Sequence, residues 1–352
     1  MNLPQIKKPY IGLGILVFLI FLLLTSFHTE TISRESISTF IKTPAQNPFM
    51  KSSAGVDNST LGFGKITYIT VEKSRERQRG MECIAHNAGF KMDRHYAFSP
   101  IGPDFLIETP KQKAMSAMLS HVEVLREIRS SGVSTALILE DDIDFDLRIR
   151  PSLANIAKAV SNYSNPGSQY DIAHPWGTGW DIVWLGYCCG YPWDNIDIVS
   201  IPDPIVNAKQ LDPTMYIGKT ANGTVGNRLI FKAHDNICTL AYAVSYEGAG
   251  KILGHIQNQT HSNEPWDLRL NGFIRDGKIT SIATHPPVFL TGKGYKSVIH
   301  EKPVGETVEK PKTDKRAEGE EKPAKPKPLP GPVFKESSLD HCRKTWDELE
   351  QI

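Results

Sequence analysis

The chain has 352 residues, with 40 Lys plus Arg against 39 Asp plus Glu and a formal net charge of +1. That length holds one large α/β domain or two small ones once anchors and tails are set aside. Near-neutral charge excludes association driven by bulk charge, nonspecific nucleic-acid binding above all, so any charge that matters is local.

In chain order, residues 1–10 read as a cytoplasmic tail and Ile11 to Phe27 as a membrane anchor: an uninterrupted apolar run without Asp, Glu, Lys or Arg. A spanning helix needs about 20 largely apolar residues, and about 17 is the lower limit. Lys7 and Lys8 precede the run, and the positive-inside rule keeps that end in the cytosol. A cleaved signal peptide is the competing reading, but its apolar region is shorter and no good small-x-small site follows Leu24. Either way the remainder enters the secretory pathway. Sequons at Asn58, Asn162, Asn222 and Asn258 agree with a luminal location. Cys83, Cys188, Cys189, Cys238 and Cys342 form no CxxC or zinc-like cluster, and disulfides are their expected use.

Residues 28–62 are rich in Ser, Thr, Asn and Lys and read as a luminal stem before a folded domain over 63–300. Lys65–Val71 predicts a strand, and Ser74 caps a polar helix ending near Gly89. Met115, Met118, Leu119, Val122, Leu125 and Ile128 lie at three- and four-residue spacing and predict an amphipathic helix stopped by Gly132. Buried strands follow at Thr135–Leu139 and Asp181–Leu185, then a strand over Cys238–Val244 and a helix over Tyr246–Ile256. Strands alternating with helices predict an α/β fold with a mainly parallel sheet, whose ligands bind at the carboxyl ends of the strands. Residues 301–333, dominated by Lys, Glu and Pro, read as a disordered linker. Residues 334–352, with Cys342 and Trp346, dock back as a helix.

Glu140-Asp-Asp-Ile-Asp144 carries the most chemistry. Carboxylates directly after a buried apolar strand are costly unless solvated, paired or bound to a cation. Hard oxygen ligands suit Mn²⁺ or Mg²⁺, which also bind phosphate oxygens and so could bridge a nucleotide diphosphate. A solvated turn or helix cap is the plainer use of such a cluster.

Tyr68-Ile-Thr-x-x-x-Ser-Arg75, Leu119-Ser-His121 and Leu137-Ile-Leu-Glu-Asp-Asp142 stand in that order. Trp184-Leu-Gly186 with Cys188, Cys238-Thr-x-Ala-Tyr-Ala-Val-Ser245 and Pro265-Trp-Asp267 follow them. This set, spread over residues 64 to 290, resembles glycosyltransferase family 25, which includes lipopolysaccharide-type and collagen galactosyltransferases and single-pass fungal members. The resemblance implies a GT-A-like nucleotide-sugar-binding fold, a UDP-sugar donor (UDP-galactose foremost) and usually Mn²⁺. The acceptor would be a glycan or glycoprotein, and the site would lie in the lumen of the Golgi or ER, behind a type II anchor.

The acid run would be the family's DxD element. Asp142 is then the leading metal ligand and Asp144 its rival, with Glu140 and Asp141 on the donor side. Arg75 matches the early Ser-Arg element and suits phosphate or base contacts; Arg79 fits less well, because Arg77 and Gln78 depart from the pattern. His121 is placed against donor or acceptor, with a structural histidine as the plain reading. Asp267 is the candidate base for an inverting transfer, and Glu264 the alternative. Tyr191, Trp193 and Trp266 could stack on sugar rings. Cys238 is expected to pair with Cys188 or Cys189. A second function class is also open, an inactive relative serving as a tethered binding or folding partner.

Overall fold

The computed structural model describes residues 55–98, 109–190, 192, 196–206, 226–257, 264–292, 295, 334 and 336–350. The expected anchor, most of the stem, the linker, Tyr191, Trp193, Asn222 and Asn258 lie outside these. Among the described residues no helix is long and apolar enough to cross a membrane.

The strands are β1 (Lys65–Thr70), β2 (Asp93–Tyr96), β3 (Thr135–Glu140), β4 (Ile143–Asp144), β5 (Ile182–Gly186), β6 (Ile198–Pro202), β7 (Asn227–Lys232), β8 (Ala241–Ser245), β9 (Ser281–His285) and β10 (Leu290–Thr291). The helices are α1 (Arg75–Ala88), α2 (Pro110–Ser131), α3 (Ile149–Ser164), α4 (Tyr246–Gln257), α5 (Trp266–Arg275) and α6 (Ser338–Glu350). Eight strands form one sheet in the order β2-β1-β3-β8-β5-β9-β7-β6, while β4 and β10 pair separately.

β1 lies parallel to β2 and β3, and β5 to β9; every other pairing in this sheet is antiparallel. Followed across the sheet, most strands therefore point one way, and β8 and β7 run against them. The α/β class and mostly parallel sheet expected from the sequence are present, with a reversed strand, β8, at the centre.

The sheet is covered on both faces, which is why β3 reads as a continuous apolar run. Its Leu137 and Leu139 join one core with Met81, Ile84, Leu153 and Trp176. Ala136 and Ile138 join the other with Leu125, Ile252 and Leu270. This is the two-residue alternation of a strand. Val56 and Leu61 are fully buried in the first core, so packing begins before the expected stem boundary at residue 62.

Local chemistry sets the helix ends. Thr109 and Gln112 form a reciprocal capping box, with Pro110 opening α2. Ser74 precedes α1 but makes no side-chain cap. Instead, buried Gln78 donates from Nε2 to the carbonyls of Val71 and Glu72, fixing the β1–α1 turn. Gly89 and Gly132 end α1 and α2 in the left-handed region, where glycine is unstrained.

The C-terminal segment packs onto this unit. Cys83 of α1 and Cys342 of α6 form a disulfide. Ser337 Oγ and the Leu339 amide donate to the two oxygens of Asp144, and the Ser338 amide donates to the Phe145 carbonyl.

Candidate active site

β1 and β3 run parallel in a register that pairs Ile69 with Glu140, so Thr70 and the acid run emerge together at their carboxyl ends. Because β8 runs against β3, the loop entering β8 arrives at this same end, and the Leu240 carbonyl accepts from the Glu140 amide at 2.9 Å. The residues leaving β5 come here too. Cys188 and Cys238 form a disulfide, with Cys189 left as the free thiol. The pairing expected for Cys238 is thus made with Cys188. Burial, and then the charge of Asp267, push the Cys189 thiol pKa up, the wrong direction for a nucleophilic thiolate.

The three carboxylates of the acid run have different surroundings. Asp141 is buried and spoken for: Thr70 Oγ1 donates to one oxygen at 2.7 Å and Arg77 Nη1 to the other at 2.7 Å. Asp142 receives Arg77 at 3.5 Å on Oδ2, while its buried Oδ1 has no hydrogen-bond partner. Glu140 accepts from Thr239 Oγ1 at 2.8 Å. Burial, and then the neighbouring Asp142, push the Glu140 carboxyl up to about 8. Burial also raises Asp142 above the ordinary carboxylate value, against the pull of Arg77. For Arg77, burial works against the charge, but Asp141 by charge and hydrogen bond, then Asp142, hold its pKa above the ordinary value.

Asp267 lies in the first turn of α5, across from this group. Its carboxylate accepts from the Cys238 amide at 2.9 Å and from its neighbour Leu268 at 2.8 Å, and its charge contributes to raising Glu140. The site thus gathers Glu140, Asp141, Asp142 and Asp267 from two distant stretches of sequence. A separate cavity of about 530 Å³, lined by Ser134, Thr135, Trp176, Asp181, Tyr246 and Lys251, lies at the opposite, amino-terminal end of β3 and β5. Its Asp181 is already met by Lys251 Nζ at 2.9 Å and by the Thr280 amide at 2.8 Å.

No protein-family model matches the chain, and no curated protein matches it in sequence. Solved structures that resemble it distantly include the following two. One is a glycosyltransferase involved in the glycosylation of the major capsid of PBCV-1, with a TM-score of 0.31 and 9% identity, covering 66% of this chain and 94% of the other. The other is a mannose-1-phosphate geranyltransferase from Thermus thermophilus, with a TM-score of 0.24 and 8% identity, covering 64% and 58%. Likeness at this level carries no argument about the site, which stands on its own residues.

Other expected site residues lie elsewhere. Asp144 is buried with both oxygens committed to Phe145, Leu339 and Ser337, and as a metal ligand it would have to release the C-terminal segment. His121 is buried in the second core, stacked on Trp266 at 5.4 Å, with Nδ1 3.0 Å from Tyr242 Oη. Burial, and then His95, push it down to about 3, so it is neutral at physiological pH. Trp266 is itself buried and offers no open ring face of the kind expected for a sugar platform. Arg75, Arg79 and Glu264 are exposed, and Arg75 reaches Gln78 at 3.4 Å.

The arginine at the acid run is Arg77, which sequence reasoning passed over as a departure from the pattern. A signal was available: Arg77 shares the i, i+4, i+7, i+11 stripe of α1 with buried Met81, Ile84 and Ala88, which turns it inward. Thr70, Thr239 and Tyr295 carried no comparable signal.

Among the described residues no group of three or more His, Cys, Asp or Glu side chains is gathered as a metal cage. The unpartnered Asp142 Oδ1 and the hard-oxygen surroundings nonetheless fit a divalent ion of the Mg²⁺ or Mn²⁺ kind. Such ions take one or two carboxylates and complete their shell with phosphate and water.

Proposed function

We propose that this chain is a metal-dependent glycosyltransferase resembling family 25, which moves a hexose, galactose foremost, from a UDP-sugar to a glycan or glycoprotein by inverting displacement. The observation that carries the reading is the meeting of Asp142, with its unpartnered buried oxygen, and Asp267 at one end of the sheet. Asp142, with Glu140 beside it, would hold Mn²⁺ or Mg²⁺. When bound, the cation supplies positive charge against the departing diphosphate. Arg77 adds a fixed guanidinium at the start of α1, where backbone amides also favour anions.

Asp267 takes the proton of the acceptor hydroxyl as its oxygen bonds to the anomeric carbon, and the bond to the diphosphate oxygen breaks with UDP leaving. Each Asp267 oxygen accepts one backbone amide and keeps a lone pair for that proton, so the two amides aim the carboxylate without exhausting it. The two disulfides suit an oxidising lumen and support the reading of a type II protein of the Golgi or ER.

The test is UDP release from a panel of UDP-sugars, with Mn²⁺ or with EDTA. Metal-dependent release from one donor is expected. Asp267→Asn should still bind UDP with Mn²⁺ and lose turnover by about 10²–10⁴-fold, the range for a general base. Normal turnover by folded Asp142→Asn would remove the metal assignment.

One observation favours a second reading. Arg77 already compensates Asp141 and reaches Asp142, the place a cation would take. An inactive, membrane-tethered relative would use the guanidinium instead of the metal and show no turnover with any donor.

A further inference from the structure

Tyr295 stands between the acid run and the C-terminal helix. The Arg77 guanidinium carbon lies 5.4 Å from the Tyr295 ring centroid, and that of Arg343, on α6, lies 5.3 Å from it. A backbone route runs beside this one: the Tyr295 amide donates to the Gly292 carbonyl, and the Gly292 amide to the Asp142 carbonyl at 2.6 Å. The ring is seated where side chains are missing. A Cβ on Gly80 would come 2.5 Å from Tyr295 Oη, and one on Gly292 3.0 Å from its Cδ2. The far end is anchored by Cys83–Cys342 and by the two hydrogen bonds from Ser337 and Leu339 to Asp144.

We infer that Tyr295 and Arg343 are positioning residues that hold Arg77 on Asp141 and Asp142, so that the C-terminal helix completes a site for a nucleoside diphosphate. A free arginine samples many rotamers, and two carboxylates fix only its tip. An aromatic face along the guanidinium, in a setting where Arg77 is 12% exposed, restricts the rest. The part concerning the nucleotide rests on the function proposed above; the part concerning Arg77 does not.

The experiment uses the full chain and four variants: Tyr295→Leu, Tyr295→Phe, Arg343→Ala and Arg343→Lys. Ligand-free protein is treated with phenylglyoxal, and modification of Arg77 is followed by peptide mass spectrometry. Tyr295→Leu and Arg343→Ala should label roughly three- to tenfold faster, the scale of a cation–π contact partly removed from water, while the Phe and Lys variants stay near wild type. A merely structural role would not give that split. Arg343 is 30% exposed, so Arg343→Ala keeps the test alive should Tyr295→Leu misfold.

Calorimetry of UDP with Mn²⁺ then reads function: affinity should fall by a similar factor in the two fast-labelling variants. Unchanged labelling overturns the positioning role. Faster labelling with unchanged UDP affinity overturns its service to the nucleotide. Wild-type protein that binds no UDP sinks the glycosyltransferase reading instead, and the labelling still decides the position of Arg77.

Discussion

Replacing Arg77 with Met keeps much of the side-chain volume and removes the guanidinium that, among the described residues, meets the acid run. In the wild type, Arg77 meets Asp141 at 2.7 Å and Asp142 at 3.5 Å, with side chains 12%, 8% and 13% exposed. Removing one partner of a fully buried pair costs about 3–5 kcal/mol, because the other charge is left stranded. Discounting for the residual exposure and water access here leaves about 2–3 kcal/mol. For a domain of this size that is a drop in Tm of roughly 4–12 °C.

Thermal unfolding should be followed in EDTA and again in saturating Mn²⁺. The cation should stabilise Arg77→Met more than the wild type, since the carboxylates it would join no longer have a competing positive partner. Its gain follows RT ln(1 + [L]/Kd), about 2.7 kcal/mol at a hundredfold excess over Kd. Arg77→Lys should fall between the two, retaining charge but losing the fork. If Arg77→Met in EDTA melts with the wild type, the ion pair is not holding the site together. If Mn²⁺ lifts both proteins equally, the cation does not sit on these carboxylates.

Stability should also depend on pH in a defined way. His121 and His285 are both pushed down to about 3 by burial, from an ordinary 6.5, so unfolding takes up protons below about pH 6.5 and stability falls with falling pH. Glu140, raised to about 8, works the other way: stability is lost as pH rises from about 4.5 to 8. On these three groups stability should rise by about 2.7 kcal/mol per pH unit from about pH 3 to 4.5 and by about 1.4 from there to about pH 6.5, then fall by about 1.4 per unit to about pH 8. Urea denaturation in EDTA would show the maximum, and Glu140→Gln should reduce the alkaline fall, leaving the part from Asp142 and Asp144, whose carboxyls burial also raises. Cys342→Ser removes a link between residues 259 apart and should lower stability by about 2–4 kcal/mol in the same assay. On α4, Gly248→Ala would place a Cβ 2.4 Å from the Asp181 carbonyl and should cost about 1–3 kcal/mol. Gly254→Ala meets open space on the same helix and should stabilise by up to about 1 kcal/mol, a contrast readable as opposite shifts in Tm.

The elements legible in the sequence are those whose burial is apolar. β1, β3 and β5 are runs covered on both faces, and α2 shows its stripe because Leu125 and Ile128 pack on the sheet while its outer face is polar. Two of the elements missed, α3 and β7, carry polar groups on their buried faces, while β2 and β6 are mostly exposed. In α3 the inward face includes Arg150, which donates to the carbonyls of Val56, Asn58, Ala88 and Gly89, and Ser152, which donates to Asp203. In β7, fully buried Arg228 pairs with Asp203 and donates to Pro286. Such groups interrupt the hydrophobic period while serving the same core, so a count of apolar spacings passes over them. The strand expected from Cys238 begins at Ala241, because Cys238 sits at φ 69°, in the left-handed region, with its sulfur tied to Cys188.

The direction of β8 was beyond reach for a different reason, since a strand's orientation is decided by its partners and not by its composition. Yet that direction builds the site. In an all-parallel sheet the loop entering β8 would lie at the amino-terminal edge, beside the cavity lined by Ser134 and Thr135. Reversal carries Cys238 and Thr239 to the carboxyl end of β3. There the Thr239 hydroxyl holds Glu140, and the Cys238 amide holds Asp267. Residues 236–240 thereby connect the carboxylates of the acid run to the one on α5, and the Cys188–Cys238 disulfide fixes that connection to the end of β5. Cys238→Ser should accordingly reduce UDP-sugar turnover more than it reduces UDP affinity, because the Cys238 amide aims Asp267 directly while Asp141 and Asp142 keep Thr70 and Arg77. Equal losses in both would mean that the loop serves the fold alone.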